Sequence, residues 1–242
     1  MNNNLRSDRT SAPVIERAGE RTSVDVGLRA YMLKVYNYMA GGLALTGIVS
    51  FLTASSPALL HTIYGTPLQW LVMLAPLGFV FFLSFRIDKI QASTAQMLFW
   101  IYASIMGLSL AFIFILYSGE SIARVFFITA GTFGAMSLYG YTTQRDLTGF
   151  GSFLFMGLIG IIIASVVNIF LHSSALQFAI SLIGVLVFTG LTAYDTQKIK
   201  NMYMDGLGYE STTKMAIMGA LNLYLDFINL FLMLLRLFGD RR

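Results

Sequence analysis

Asp226 sits inside an apolar run, Ala216-Ile217-Met218-Gly219-Ala220-Leu221-Asn222-Leu223-Tyr224-Leu225-Asp226-Phe227-Ile228-Asn229-Leu230-Phe231-Leu232-Met233-Leu234-Leu235. The run is long enough to cross a bilayer, which takes roughly 20 residues. A carboxylate at that depth is costly, so it reads first as a functional group with a partner. The partner expected from the sequence is Asp195, which ends the preceding apolar run in Gly190-Leu191-Thr192-Ala193-Tyr194-Asp195-Thr196-Gln197-Lys198. Two neighbouring carboxylates cannot both ionise cheaply, so the pair is expected to share a proton over part of the physiological range. Such a pair is a proton-sensitive site or a cation site. Read structurally, it is a protonated hydrogen-bonded staple between two helices. Asparagine and serine could build a staple without a titratable group, which favours the functional reading.

The elements that must hold the pair follow from hydropathy. The chain of 242 residues is 56% hydrophobic and 12% charged, against about 25% charged for a soluble domain. Seven apolar runs are expected as membrane spans, at 31–53, 68–86, 94–117, 122–142, 150–171, 176–200 and 214–238. The predicted fold class is an all-α membrane protein of seven transmembrane helices. Residues 1–30 are polar and mixed in charge and are expected to form a flexible cytoplasmic tail, with residues 31–242 as the transmembrane domain. No apolar segment at the start marks a cleaved secretory signal. Gly41, Gly42 and Gly47 in the first run, Gly131 and Gly134 in the fourth, and Gly157 and Gly160 in the fifth are expected to mark close helix contacts, because small residues let backbones approach.

Spans six and seven are expected to form a hairpin with its turn at Asp205-Gly206-Leu207-Gly208. At about 1.5 Å per residue, Asp195 and Asp226 then lie at matched depth, roughly 20–25 Å from that turn. Asn222, Asp226 and Asn229 recur at i, i+4 and i+7 and share one helical face. With Thr192 from span six they make the expected supporting polar face. A polar stripe on an apolar helix turns away from lipid, so the last helix is expected at the centre of the bundle. Arg86, which ends span two, can reach inward to Asp195 or snorkel to lipid phosphates; the two readings are open.

Lysine and arginine set the expected topology. Five arginines precede the first span; the second break holds Arg86 and Lys89, the fourth Arg145, and the sixth Lys198, Lys200 and Lys214. The alternate breaks 54–67 and 172–175 contain none, which places the N-terminus in the cytoplasm. Arg241 and Arg242 then fall on the wrong side if the last run crosses fully, and a full crossing is still preferred. The absence of cysteine excludes disulfides and thiolate metal sites. His61 and His172 fall in short breaks on one side, where solvated loop histidines are preferred to a shared metal. The net charge of +4 is small and scattered and argues for topology, not for nucleic-acid binding.

Leu225-Asp226-Phe227-Ile228-Asn229-Leu230-Phe231 with Leu234-Leu235-Arg236, and Ala193-Tyr194-Asp195-Thr196-Gln197-Lys198-Ile199, resemble the Bax inhibitor-1 (TMBIM) family. Lys34-Val35-Tyr36 and Met39-Ala40-Gly41-Gly42-Leu43 resemble its bacterial inner-membrane branch. The resemblance covers about residues 30 to 240. It implies a seven-helix fold whose last helix is wrapped by the first six, in a multi-pass protein of the bacterial inner membrane. It also implies a pH-sensitive calcium leak gated by a diaspartyl pair, onto which Asp195 and Asp226 map, with Arg86 as the latch on Asp195. Some members carry a glutamate within helix two; none lies between Leu68 and Phe85 here.

Three functions compete. The first is ion transport: a leak with no resident cofactor, in which Asp195 and Asp226 bind Ca²⁺ transiently and respond to H⁺. Two carboxylates supply only part of the six to eight oxygens that Ca²⁺ takes, which suits a slow leak. The second is an interaction protein that modulates a membrane-anchored AAA protease through the tail. The third, an intramembrane hydrolase built on the two aspartates, lacks any loop suggesting substrate access, so the chain is not expected to be an enzyme. The bilayer is the one partner common to all three.

Overall fold

The computed structural model describes the backbone from residue 12 onward except Asp205, and side chains from Val26 onward. The expected tail of residues 1–30 falls largely outside the described residues. The helices are α1 (Ala12–Ala54), α2 (Pro57–Tyr64), α3 (Leu68–Arg86), α4 (Ala92–Leu110), α5 (Ile113–Leu116), α6 (Gly119–Thr142), α7 (Thr148–Leu171), α8 (Ser174–Met202) and α9 (Tyr209–Phe238). Seven segments are long and apolar enough to span a membrane: Val26–Ala54, Leu68–Lys89, Ala92–Leu116, Gly119–Thr142, Thr148–Leu171, Ser174–Met202 and Tyr209–Phe238. Each coincides with one of the seven runs expected from hydropathy. The protein is an all-helical, multi-pass membrane protein.

Burial sorts the spans into layers. In the most apolar window of α9, 72% of residues are buried, against 11% for α3 and α7. Direct packing on α9 comes from α8, α1, α6 and α4. The other two spans, α3 and α7, pack chiefly on α4 and α8 respectively. Their outward residues, such as Trp70, Leu74, Phe85, Phe153, Ile163 and Phe170, are exposed apolar side chains. A helix apolar all round is at home in lipid, where exposure of such groups costs nothing.

Hydrogen bonds tie the layers where side chains are polar. Thr46 of α1 donates to the Ala103 carbonyl of α4 at 2.8 Å and bonds the Tyr224 hydroxyl of α9 at 2.7 Å. Tyr36, Ser137 and Thr196 link α1, α6 and α8 at 2.6 and 2.9 Å. Gln197 secures the α6–α7 connection at both ends of its amide: its Nε2 donates to the Arg145 carbonyl and its Oε1 accepts from the Leu147 N–H, each at 2.8 Å. In a membrane core these bonds satisfy groups that no water can reach.

The ends of α9 settle the problem posed by the C-terminal arginines. Its first turn lies beside α1, with Lys34 donating to Thr213 at 2.6 Å and standing 4.5 Å from the Tyr209 ring. Its far end returns against the α5–α6 connection. There the Ser118 N–H donates to the Asp240 carbonyl, the Arg242 N–H to the Leu116 carbonyl and the Asp240 N–H to Ser121 Oγ. Arg124 pairs with Asp240 at 2.8 Å, and Arg241 lies over the Tyr117 ring. The helix therefore runs the full depth of the bundle, and Arg241 and Arg242 lie at the end opposite Val26. Arg241 has a local partner there in the Tyr117 ring. The α8–α9 turn contains Gly206 at φ +83°, a left-handed conformation that glycine adopts without strain; Asp205 of that expected turn lies outside the described residues.

The glycine expectation needs correction. A Cβ at Gly41, Gly42 or Gly157 would meet Trp100, Phe99 or Val187, as a contact glycine should, but Gly47, Gly131, Gly134 and Gly160 face open space. The tight approach of α6 to α8 is made at Gly140, where a Cβ would fall 2.2 Å from the Ala193 carbonyl oxygen. Run membership identifies glycines on a helix but not the face they occupy. Gly140→Ala is expected to destabilise the protein by about 1–3 kcal/mol through overpacking against backbone that cannot yield. Gly131→Ala should leave stability unchanged or slightly raised. Thermal unfolding of both variants in detergent checks this; an unchanged midpoint for Gly140→Ala would show that α6 and α8 are not closely packed there.

Candidate functional site

The carboxylates of α8 and α9 meet because the two helices form an antiparallel hairpin and pack along their length. Asp226 is 5% exposed and Asp195 is half-buried. Their side chains are hydrogen-bonding neighbours. A hydrogen bond between two carboxyl groups needs a proton on one of them, because an ionised carboxylate only accepts. No N–H or hydroxyl donates to the buried Oδ2 of Asp226.

Both aspartates open onto a cavity of about 900 Å³ between α7, α8 and α9. Asn222 and Asn229 line it with Asp226, so three of the four residues of the expected α9–α8 polar face stand where the periodicity put them. Asn229 donates through Nδ2 to the Leu225 carbonyl one turn back, at 2.9 Å. Thr192 does not line the cavity. It is fully buried, donating to the Phe188 carbonyl and accepting from Thr196 on another face of α8. Three residues separate it from Asp195, and its hydroxyl is consumed by its own helix, a common fate for threonine within a span.

Arg86 is not brought to the aspartates. It ends α3, is exposed, does not line the cavity, and makes no hydrogen bond or ion pair among the described residues. The cation that acts on Asp195 is Lys198, three residues on along α8 and also at the cavity wall. Arg236 of α9 lines the same cavity at its far end. Sequence reasoning took Lys198 only as a topology marker and Arg236 only as part of a motif. The signal was present in both cases: Lys198 is i+3 from Asp195, and Arg236 is i+7 from Asn229, continuing the polar stripe.

Two carboxylates, two carboxamides and the hydroxyls of Ser152 and Ser165 give this cavity oxygen donors of the kind hard cations take. Among the described residues no group of three or more His, Asp or Glu side chains gathers to hold a metal. The arrangement is not a closed metal cage. His61 lies on α2, and His172 closes α7 in a left-handed conformation at φ 51°.

A model of the family described as "Inhibitor of apoptosis-promoting Bax1" matches residues 28–242. The chain belongs to the Bax inhibitor-1 family. An uncharacterized protein of Rickettsia prowazekii is 55% identical over 218 residues, covering 90% of this chain and 92% of that one. The inner membrane protein YbhL of Escherichia coli strain K12 is 52% identical over 219 residues, covering 89% and 94%. An uncharacterized membrane protein of Streptococcus pyogenes serotype M3 is 37% identical over 221 residues, covering 90% and 96%. The Bax inhibitor-1 match takes in every span, and so both aspartates and the whole cavity.

The arrangement predicts linked titration. Infrared titration of the carboxyl stretch should show protons leaving Asp195 and Asp226 in two coupled steps, and Asp195→Asn should displace the titration of Asp226. Independent ionisation of both near the roughly 3.9 of free aspartate would show that the two groups do not interact.

Proposed function

We propose that this Bax inhibitor-1 family protein is a pH-sensitive calcium leak of a bacterial inner membrane, with its N-terminus in the cytoplasm and Asp195 and Asp226 as its proton sensor and ion gate. The observation that carries the reading is the pairing of half-buried Asp195 with buried Asp226 on one cavity, with no N–H or hydroxyl donating to Asp226 Oδ2. When the pair shares a proton, the hydrogen bond between α8 and α9 is intact and the net charge at the site is halved. When it ionises, two like charges repel at close range and the site becomes attractive to a divalent cation. The printed name of the Escherichia coli relative supports the membrane assignment.

Flux of Ca²⁺ into liposomes holding the purified protein, measured against pH, tests this. Asp195→Asn and Asp226→Asn keep the shape and hydrogen-bonding capacity but cannot titrate. Each should change the flux and flatten its pH dependence while the protein stays folded. An unaltered flux-against-pH curve in the double variant would reduce the pair to a helix staple. No flux from the wild type in liposomes would instead favour an interaction protein, for which a membrane-anchored protease is the partner to test.

In the same reading Arg86 latches Asp195 in a second, closed conformation, which requires the end of α3 to move inward. Arg86→Ala should then raise the basal leak and shift the pH midpoint. Arg86→Lys should restore it only in part, since lysine lacks the planar fork that grips a carboxylate. Equal midpoints in all three proteins would remove Arg86 from gating and leave it as an interfacial anchor.

A further inference from the structure

A second cavity, of about 590 Å³, lies at the end of the bundle opposite Val26 and has a different electrostatic character. It is enclosed by the α4–α5 break, the α7–α8 connection and the end of α9. Arg236 and Arg241 both line it, together with His172. No acidic side chain does. Asp240, the nearest acid in the chain, is paired with Arg124, which does not line the cavity. Arg236 makes no hydrogen bond or ion pair among the described residues, and Arg241 is held only by its backbone and the Tyr117 ring.

Both arginine side chains are exposed to solvent, and an anion entering the cavity would meet two positive charges with no carboxylate in competition. The backbone clasp of Asp240 and Arg242 onto Leu116 and Ser118 holds the main chain of Arg241 beside the cavity. Asn168 and Gln177 bond each other at 3.2 Å and form a neutral polar wall, while Phe112, Phe178 and Leu232 supply apolar walls. The cavity lies at the level where α7 ends and α8 begins, at the ends of two segments long and apolar enough to span a membrane. Planar guanidinium groups are suited to grip phosphate oxygens.

We propose that this cavity binds a phosphate-bearing anion between Arg236 and Arg241. The ligand chemistry is a phosphate group within hydrogen-bonding reach of both guanidiniums. It comes either from the headgroup of an anionic membrane lipid or from a soluble phosphate compound. The site is independent of the proposed leak, although Arg236 also borders the aspartate cavity.

The test uses the full chain, wild type and Arg236→Gln/Arg241→Gln, with Arg145→Gln at the opposite end of the bundle as a control. Each is reconstituted in nanodiscs of mixed phosphatidylglycerol and phosphatidylcholine, re-extracted in mild detergent, and its retained lipid quantified. In parallel, thermal stability in detergent is measured in inorganic phosphate against chloride at equal ionic strength. Wild type and Arg145→Gln should retain phosphatidylglycerol selectively, or be stabilised by phosphate; the first names a lipid and the second a soluble source. The double variant should bind about tenfold more weakly, the scale of one charge-assisted hydrogen bond. Arg236→Lys/Arg241→Lys, which keeps both charges and guards against misfolding of the glutamine variant, should recover part of the binding. A wild type that neither selects phosphatidylglycerol nor responds to phosphate overturns the proposal. So does binding that is unchanged in the double glutamine variant.

Discussion

The constraint on which this structure rests is that the bilayer core offers no hydrogen bonds. Every polar group on a span must find a partner within the protein or face a cavity. The hydroxyls of Thr46, Ser137 and Thr196 meet the requirement by joining helices, and Thr192 meets it within its own helix. Asp226 does so only in part, since no N–H or hydroxyl donates to one of its oxygens. The hydroxyls of Tyr31, Ser50 and Tyr102 are likewise buried without a hydrogen-bond partner, but among these groups Asp226 alone carries a carboxyl that can ionise near neutral pH. It gives the α8–α9 hairpin a group whose state depends on what enters the cavity.

The packing order serves that hairpin. α9 is covered by α1, α4, α6 and α8, and both its ends are fastened, by Lys34 at one and by the Ser118–Asp240 and Leu116–Arg242 bonds at the other. Gln197, two residues beyond Asp195, ties the same helix to the α6–α7 connection. The acids are thus held by a framework that is anchored away from them, which fixes the geometry of the pair. Lys198 moderates the charge at one end of the cavity and Arg236 stands at the other.

Hydropathy made the seven spans legible, because a run of roughly 20 apolar residues has few other uses. The 3.6-residue period made Asn222, Asp226 and Asn229 legible as one face, and arithmetic from the turn matched Asp195 to Asp226 in depth. What could not be read were choices of neighbour. Gly131 and Gly140 lie on one helix, yet only Gly140 meets a facing backbone. Thr192 and Asp195 are nearly one turn apart, yet the cavity takes one and not the other. Arg86 has the position of a latch but lies apart from Asp195 in this conformation. The fastening of the C-terminal residues depends on backbone groups near Tyr117, which no side-chain pattern announces.

One wall of the aspartate cavity is α7, the least enclosed of its three helices. Leu158, Ile161 and Ser165 line the cavity from it, while Phe153, Ile163 and Phe170 on the same helix are exposed. Its main attachment is to α8, whereas α9 is fastened at both ends. Lipid therefore presses directly on the back of a wall that closes the site. The lateral pressure and thickness of the surrounding bilayer enter the free energy of packing α7 on α8.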